Sequence, residues 1–327
     1  MKQLRLGLEI LMVAAVAVTA TPSEADSNRT LRYTSRSAEA AREWQNDLRG
    51  KFATLLKIED LLTSRVNLPN ATTTLSEEDR GSYLRREIEF ASTPGRRIRA
   101  ILTLPKDTPA PSPAVVCIHG HGHDRTAVHD PALIYRGFAT RLAERGAVTI
   151  AVDVGQHQVY EEGRTLMGER LWDLIRCVDL VSSLRSVDRQ RLGCAGLSLG
   201  GEMAMWLGAM DTRVSAVLSS GFLTTMDQME KGHCMCWKFE GLRELADWAD
   251  VYSLIAPRAL LCQNGLKEPP TDFTVPLAEK ALAEVRLIYT DLGAEDKVGL
   301  VAHPEGHVVN LPTLLDFFDK TLGIRER

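Results

Sequence analysis

Apolar and polar positions change rhythm several times along the chain. Across 38–62 the apolar residues Trp44, Leu48, Phe52, Leu55, Leu56 and Ile58 recur at helical spacing and predict an amphipathic helical segment. The stretch 66–82 is polar and predicts a linker. From about Arg85 the period shortens. Strands are predicted at 87–91 and 98–104, joined at Pro94-Gly95 as a hairpin. A proline-rich connection, 105–113, follows. Beyond it, apolar runs at 114–118, 148–152, 191–195, 214–219, 259–263 and 298–303 predict strands. They alternate with helical stretches at 134–144, 169–184, 199–210, 277–289 and 311–322. Such alternation predicts an α/β fold: a mostly parallel central sheet, helices on both faces, the hairpin as an antiparallel edge and an N-terminal helical extension. The layout is a leader at 1–25, an extension with linker at 26–84 and one α/β domain at 85–327.

The leader carries its own signal. Lys2 and Arg5 give a basic start, and an apolar run at 10–18 follows, with Glu9 at its edge. Val18-Thr19-Ala20 and Ser23-Glu24-Ala25 offer small-residue cleavage sites. The pattern predicts a secretory signal peptide and a secreted or periplasmic protein. The run falls short of the ~20 residues that span a bilayer as a helix, so no stable membrane insertion is expected. At 44% hydrophobic and 25% charged, the 327 residues are ordinary for a globular protein. A net charge of −4 and the lack of any basic block with interleaved aromatics argue against a nucleic-acid partner.

Six cysteines are present. Cys117, Cys194 and Cys262 lie in strand-like runs, where a thiol behaves as a small buried hydrophobe. Cys234 and Cys236 flank Met235 in a predicted loop, open to a disulfide or a reactive pair. Paired CxxC knuckles are missing from the sequence, so structural zinc is not predicted.

The segment Arg191 to Gly208 holds one serine fenced by Gly196, Gly200 and Gly201. A strand that turns sharply into a helix crowds its own backbone, and glycines on both sides relieve the crowding. Such a G-x-S-x-G turn lifts the serine oxygen to the end of the sheet beside a helix N-terminus. Ser198 is therefore the candidate nucleophile, and the amide of Leu199 a candidate oxyanion donor. A serine hydroxyl needs a base. His307, in "AHPEGHVVN" after the last predicted strand, is the candidate, with His303 second. The loop "CIHGHGHDR" follows the strand ending at Ile118, and the amide of His121 supplies a second oxyanion donor. His119, His121 and His123 alternate and raise a metal reading. It is set aside because no carboxylate or thiol partner of fitting spacing is evident and the oxyanion role explains the loop. No metal or cofactor is predicted.

With these motifs the chain, over about 85–322, resembles the α/β-hydrolase superfamily. More narrowly, it is similar to dienelactone-hydrolase-like and acetyl xylan esterase-like serine esterases. "CIHGHGHD", "RLGCAGLSLGG", "LIAPRALLCQNG" and "VAHPEGH" carry the resemblance. It implies the α/β-hydrolase fold and a metal-free Ser–His–acid site with Ser198, His307 and the oxyanion positions Leu199 and His121. Where the family has G-x-x-D, this chain has Gly265-Leu266-Lys267-Glu268, then Asp272. Glu268 is the expected acid, Asp272 the alternative, and Asp227 and Glu230 more distant candidates. The aromatic- and methionine-rich stretch 221–250 predicts a pocket wall or a satellite cluster over the serine.

The expected activity is hydrolysis of small acyl esters, such as acetylated sugars or xylan, through an acyl-enzyme; the expected partner is that ester substrate. A serine peptidase of the same fold is the alternative. A dienelactone-type enzyme would use cysteine, and a binding protein on this scaffold would have lost the serine or the histidine. Export predicts a mature chain beginning at Thr21 or Asp26. N-terminal sequencing of secreted protein checks this, and an exported chain that retains Met1 counts against it.

Overall fold

The computed structural model describes residues 29–64, 68–106, 108 and 111–325. The predicted leader lies outside the described residues. Helices α1 (Ala38–Leu55) and α2 (Glu59–Ser64) come first, then strands β1 (Thr72–Asp79), β2 (Tyr83–Ala91), β3 (Arg97–Pro105) and β4 (Ser112–Ile118). Next are α3 (Phe138–Glu144), β5 (Val148–Val152), α4 (Leu166–Ser183), β6 (Val187–Leu197), α5 (Leu199–Met210) and β7 (Ala216–Ser220). Short helices α6 (Met226–Met229), α7 (Leu242–Leu245) and α8 (Trp248–Ser253) lead to β8 (Ala259–Gly265), α9 (Val275–Asp291), β9 (Val298–His303) and α10 (Leu311–Leu322).

The strands form one sheet in the order β1-β2-β3-β5-β4-β6-β7-β8-β9. From β5 onward the pairs are parallel; β1-β2, β2-β3 and β3-β5 are antiparallel. Parallel strands need both faces covered, and β4 and β5 are buried at every position. Side chains alternate between two cores. Val115, Cys117, Ala195 and Leu197 pack with α3 and α10. Val116, Ile118, Ile150 and Cys194 pack with α1, α4, α5, α8 and α9. β4 has β5 on one side and β6 on the other, so the strand order reverses there. The carboxyl ends of such strands bound a crevice where ligands bind.

Caps set the helix bounds. Ser37 accepts the Ala40 N–H at α1, Thr165 the Gly168 N–H at α4, and Asn310 the Thr313 N–H at α10. The helix predicted at 134–144 begins only at Phe138, because Arg136 and Gly137 both hold left-handed backbone.

The linker reading of 66–82 is corrected: residues 72–79 are the edge strand β1. Every position of β1 is exposed, so it lacks the apolar alternation that marks a half-buried strand. Cross-strand charge stands in for it. Glu77 pairs with Arg86, Glu78 with Arg85, and Asp79 with Lys106. Charged side chains on an edge strand also discourage pairing with another chain.

The N-terminal extension is part of the main core. On α1, Trp44, Leu48 and Phe52 are buried, Phe52 meets Trp206 edge-on, and Gln45 donates to the carbonyls of Ser253 and Ala256. Ahead of α1 the chain is clasped by carboxylates. Arg29 pairs with Glu284 and Asp250, the Tyr33 N–H donates to Asp250, and the Tyr33 hydroxyl donates to Asp291. Burial raises Asp250 to about 6 although the Arg29 charge opposes the shift.

The turn after α1 rests on the start of α4. Leu56 O accepts the Thr165 hydroxyl, and a Cβ added to Gly168 would lie 2.0 Å from that same oxygen. Gly168→Ala is expected to cost on the order of 1–3 kcal/mol, because backbone rather than a flexible side chain must give way. Urea denaturation checks this; an unchanged midpoint would mean that the extension is not seated on α4.

Candidate active site

Ser198 lies between β6 and α5 with φ 62° and ψ −126°, a backbone conformation that side chains rarely adopt. The surrounding backbone holds it there. The Ser198 N–H donates to Ser220 O, and the Ser198 carbonyl accepts the Glu202 N–H in the first turn of α5. A Cβ on Gly196 would come within 2.2 Å of Gly200 O, and one on Gly200 within 2.3 Å of Ile118 O. Only glycine allows these three backbones to meet. The turn presents a half-buried hydroxyl at the carboxyl end of the sheet, next to the unsatisfied N–H groups that open a helix.

Two loops at the far end of the sheet hold a histidine and a carboxylate together. Glu268 follows β8 and His307 follows β9. The Leu266 N–H donates to His303 O and the Lys267 N–H to Glu305 O, so the loops run side by side. Gly265 makes that approach feasible, since a Cβ there would meet Gly306 O at 2.3 Å. The result is a hydrogen bond of 2.8 Å from His307 Nδ1 to Glu268 Oε1. The Glu268 side chain is 1% exposed and His307 29%. Phe273 stacks on the His307 ring with centroids 5.5 Å apart and planes 22° off parallel. Asp272 faces elsewhere: its carboxylate accepts the Thr271 hydroxyl and lies 3.9 Å from His233. Asp227 and Glu230 pair with Arg243, and His303 is buried.

A serine in a strained strand-to-helix turn, with a histidine–carboxylate pair on later loops of the same sheet edge, is a hydrolase arrangement. Residues 73–229 match the family described as Acetyl xylan esterase (AXE1). The chain has an α/β-hydrolase fold and is similar to that family over just under half of its length. YtaP of Bacillus subtilis is 25% identical to it over 73% of this chain and 87% of that protein. Among solved structures, the Bacteroides fragilis protein BF1801 shares 19% identity with a TM-score of 0.71, covering 85% of this chain and 79% of that one. The acetyl xylan esterase from Paenibacillus sp. R4 shares 17% identity with a TM-score of 0.62, over 83% of this chain and 95% of that one. These two likenesses bear on fold.

In this fold the loop after β4 divides its three histidines by role. His119 is fully buried; its Nδ1–H donates to Gly120 O and its Nε2 accepts the Val154 N–H. Both ring nitrogens are used, and burial lowers its pKa. His123 Nδ1 lies 3.1 Å from His121 O. The Gly120 N–H donates to the Tyr135 hydroxyl, which fixes the turn that carries His121. His121 reaches a small cavity beside the serine, about 60 Å³, lined also by Leu199, Phe222, Met229, Trp237 and Phe273. A larger cleft of about 610 Å³ is lined by the next residues of that loop, Gly122 and His123, and by Arg99, Asp153 and Tyr160 among others.

The 221–250 stretch is a pocket wall and part of the main core at once. Phe222, Met226, Met229, Trp237 and Trp248 belong to the α4–α5 core, so the satellite reading is corrected. Ring contacts run from Trp237 through Trp248 and Phe222 to Phe273 and so to His307.

Sequence reasoning missed what lies behind His121. His121 Nε2 is 3.1 Å from Cys236 Sγ, and His157 Nε2 is 3.3 Å from Cys234 Sγ. The thiol partners judged lacking are thus supplied by a distant loop. Both cysteines are free, so the disulfide reading does not hold. Arg170 on α4, fully buried, donates to Cys236 Sγ at 3.3 Å and to Gln156 O. Nearby Glu202 is raised to about 8 by burial, with the Arg170 charge opposing.

The strain at the turn has a measurable size. Ser198→Gly is expected to be more stable than Ser198→Ala by about 1 kcal/mol, since strain of ~1–3 kcal/mol is relieved against a glycine entropy cost of ~0.5–1 kcal/mol. Paired denaturation curves test this, and equal midpoints would deny strain at Ser198.

Proposed function

We propose that the chain hydrolyses small acyl esters of carbohydrates, acetyl esters first, with Ser198 as nucleophile, His307 as base and Glu268 as its orienting acid. The observation that carries this reading is the 2.8 Å hydrogen bond between His307 Nδ1 and the buried Glu268 carboxylate. That bond fixes the imidazole tautomer and leaves Nε2 free to serve the serine. Ser198 Oγ attacks the ester carbonyl while Nε2 takes its proton. The amides of Leu199 and His121 receive the charge that develops on the carbonyl oxygen. As the tetrahedral species collapses, the alcohol leaves with the proton from Nε2 and an acyl-serine remains. Water then attacks, gives a proton to Nε2 and its hydroxyl to the acyl carbon, and the serine leaves reprotonated.

The substrate class rests on the family match over residues 73–229 and on cavity size. About 60 Å³ beside the serine suits an acetyl group and not a long acyl chain. The cleft of about 610 Å³ on the other side of the 121–123 loop offers Arg99, Asp153 and Tyr160 to a sugar's hydroxyls. Export through the predicted leader would bring the enzyme to polysaccharide outside the cell. Among the described residues no helix is long and apolar enough to cross a membrane.

Acetylated xylo-oligosaccharides should be cleaved, and rates on nitrophenyl esters should fall steeply beyond short acyl chains. Faster cleavage of long-chain esters, or of peptides, would overturn the substrate class. Ser198→Ala is expected to lose at least about a thousandfold in kcat and to escape fluorophosphonate labelling. Glu268→Gln is expected to lose on the order of 10³–10⁴-fold, because an amide can favour the wrong tautomer and cannot balance the imidazolium. Asp272→Asn should stay near the parent rate. If instead Asp272→Asn is the crippled variant, the acid is misassigned.

A further inference from the structure

We propose that His121, His157, Cys234 and Cys236 form a tetrahedral binding site for one divalent ion of zinc type. Their four donor atoms all lie within 4.8 Å of one another. A tetrahedron with legs of about 2.0–2.3 Å to nitrogen and sulfur has edges of ~3.3–3.8 Å. The His121–Cys236 and His157–Cys234 pairs, at 3.1 and 3.3 Å, are already at that scale. Small side-chain rotations close the remaining edges, and Cys234 and His157 are exposed and free to make them. The two imidazole rings stack with centroids 5.3 Å apart and planes 30° from parallel, which keeps both nitrogens turned to the thiols.

The donor set selects the ion. Two imidazoles and two thiols, with no carboxylate among them, favour zinc over calcium or magnesium. On binding, the two thiols release their protons to solvent, and two thiolates neutralise the ion's charge. The surroundings suit that state. Arg170 donates to Cys236 Sγ at 3.3 Å and would keep this bond to the thiolate, the outer-sphere contact that orients a metal ligand. It also holds Gln156 O, next to His157. One buried guanidinium therefore braces two of the three ligand-bearing loops.

Four protein ligands leave no open position, so the ion is structural and does not activate water. Its effect on the pocket would be mechanical. His121 and both cysteines line the cavity that holds Ser198. The ion would tie the loop after β4, the loop after β5 and the 221–250 wall into one rigid rim.

The test uses the full chain, stripped with chelator and reduced with a phosphine, its free thiols counted. Cobalt(II) is titrated in as a spectroscopic probe. The expected result is thiolate-to-cobalt charge-transfer absorption with tetrahedral ligand-field bands, saturating at one ion per chain and displaced by zinc. Zinc alone should raise the thermal midpoint. Cys234→Ala and His157→Ala, both at exposed positions, should each weaken binding at least about tenfold, while His233→Ala keeps the bands. If one variant fails to fold, the other decides. Absence of the charge-transfer band in protein with free thiols overturns the site. So do bands that survive both substitutions, or a Cys234–Cys236 disulfide that resists reduction. No readout uses ester hydrolysis, so the result stands apart from the proposed activity.

Discussion

A near-contact of three backbones governs this molecule. Gly196, Gly200 and the end of β4 at Ile118 meet at distances that exclude any Cβ. That approach sets the crossing of β6 into α5, and with it the position of Ser198 against the β4 loop. The strain at Ser198 is the local cost of bringing the serine to the reversal in strand order. A second approach of the same kind, Gly265 against Gly306, gathers the histidine and the carboxylate from the neighbouring loops. The candidate site is thus assembled by two places where side chains are missing.

What packs around these contacts keeps them from relaxing. The aromatic series from Trp237 to Phe273 ends on the His307 ring, so the candidate base is stacked against a side chain rooted in the core. On the other side, Arg170 joins α4 to the pocket wall. Rigid supports of this type hold reacting groups in register without reorganisation during the reaction.

Much of this was legible in the sequence for identifiable reasons. β4, β5 and β8 show as continuous apolar runs because parallel strands are covered on both faces. The serine turn shows because its glycines are spaced by steric need. Glu268 was singled out through its distance from Gly265, and the paired loops bring it to His307. β1 was not legible, since a strand exposed on both faces carries no periodicity. The His–Cys cluster was invisible for another reason. Its contacts cross 115 and 77 residues of chain, and the histidines and cysteines come from three loops with no fixed spacing. The one available cue was the C-x-C pair in the aromatic- and methionine-rich insert. An alternating histidine run elsewhere drew attention from it, although two of those histidines are committed to backbone and tyrosine contacts.

The carboxylate clasp around Arg29 sets a boundary for trimming the chain. Asp247 and Asp250 share a capping box at the start of α8, both buried, with the Arg29 guanidinium as the cation beside them. Removal of residues up to Ala25 leaves that cation in place. Removal of four residues more would leave two acids facing each other in a dry setting, where one would have to hold a proton and the cap would lose an acceptor. Arg29 is therefore an electrostatic limit on truncation: a start beyond it removes the cation beside Asp247 and Asp250.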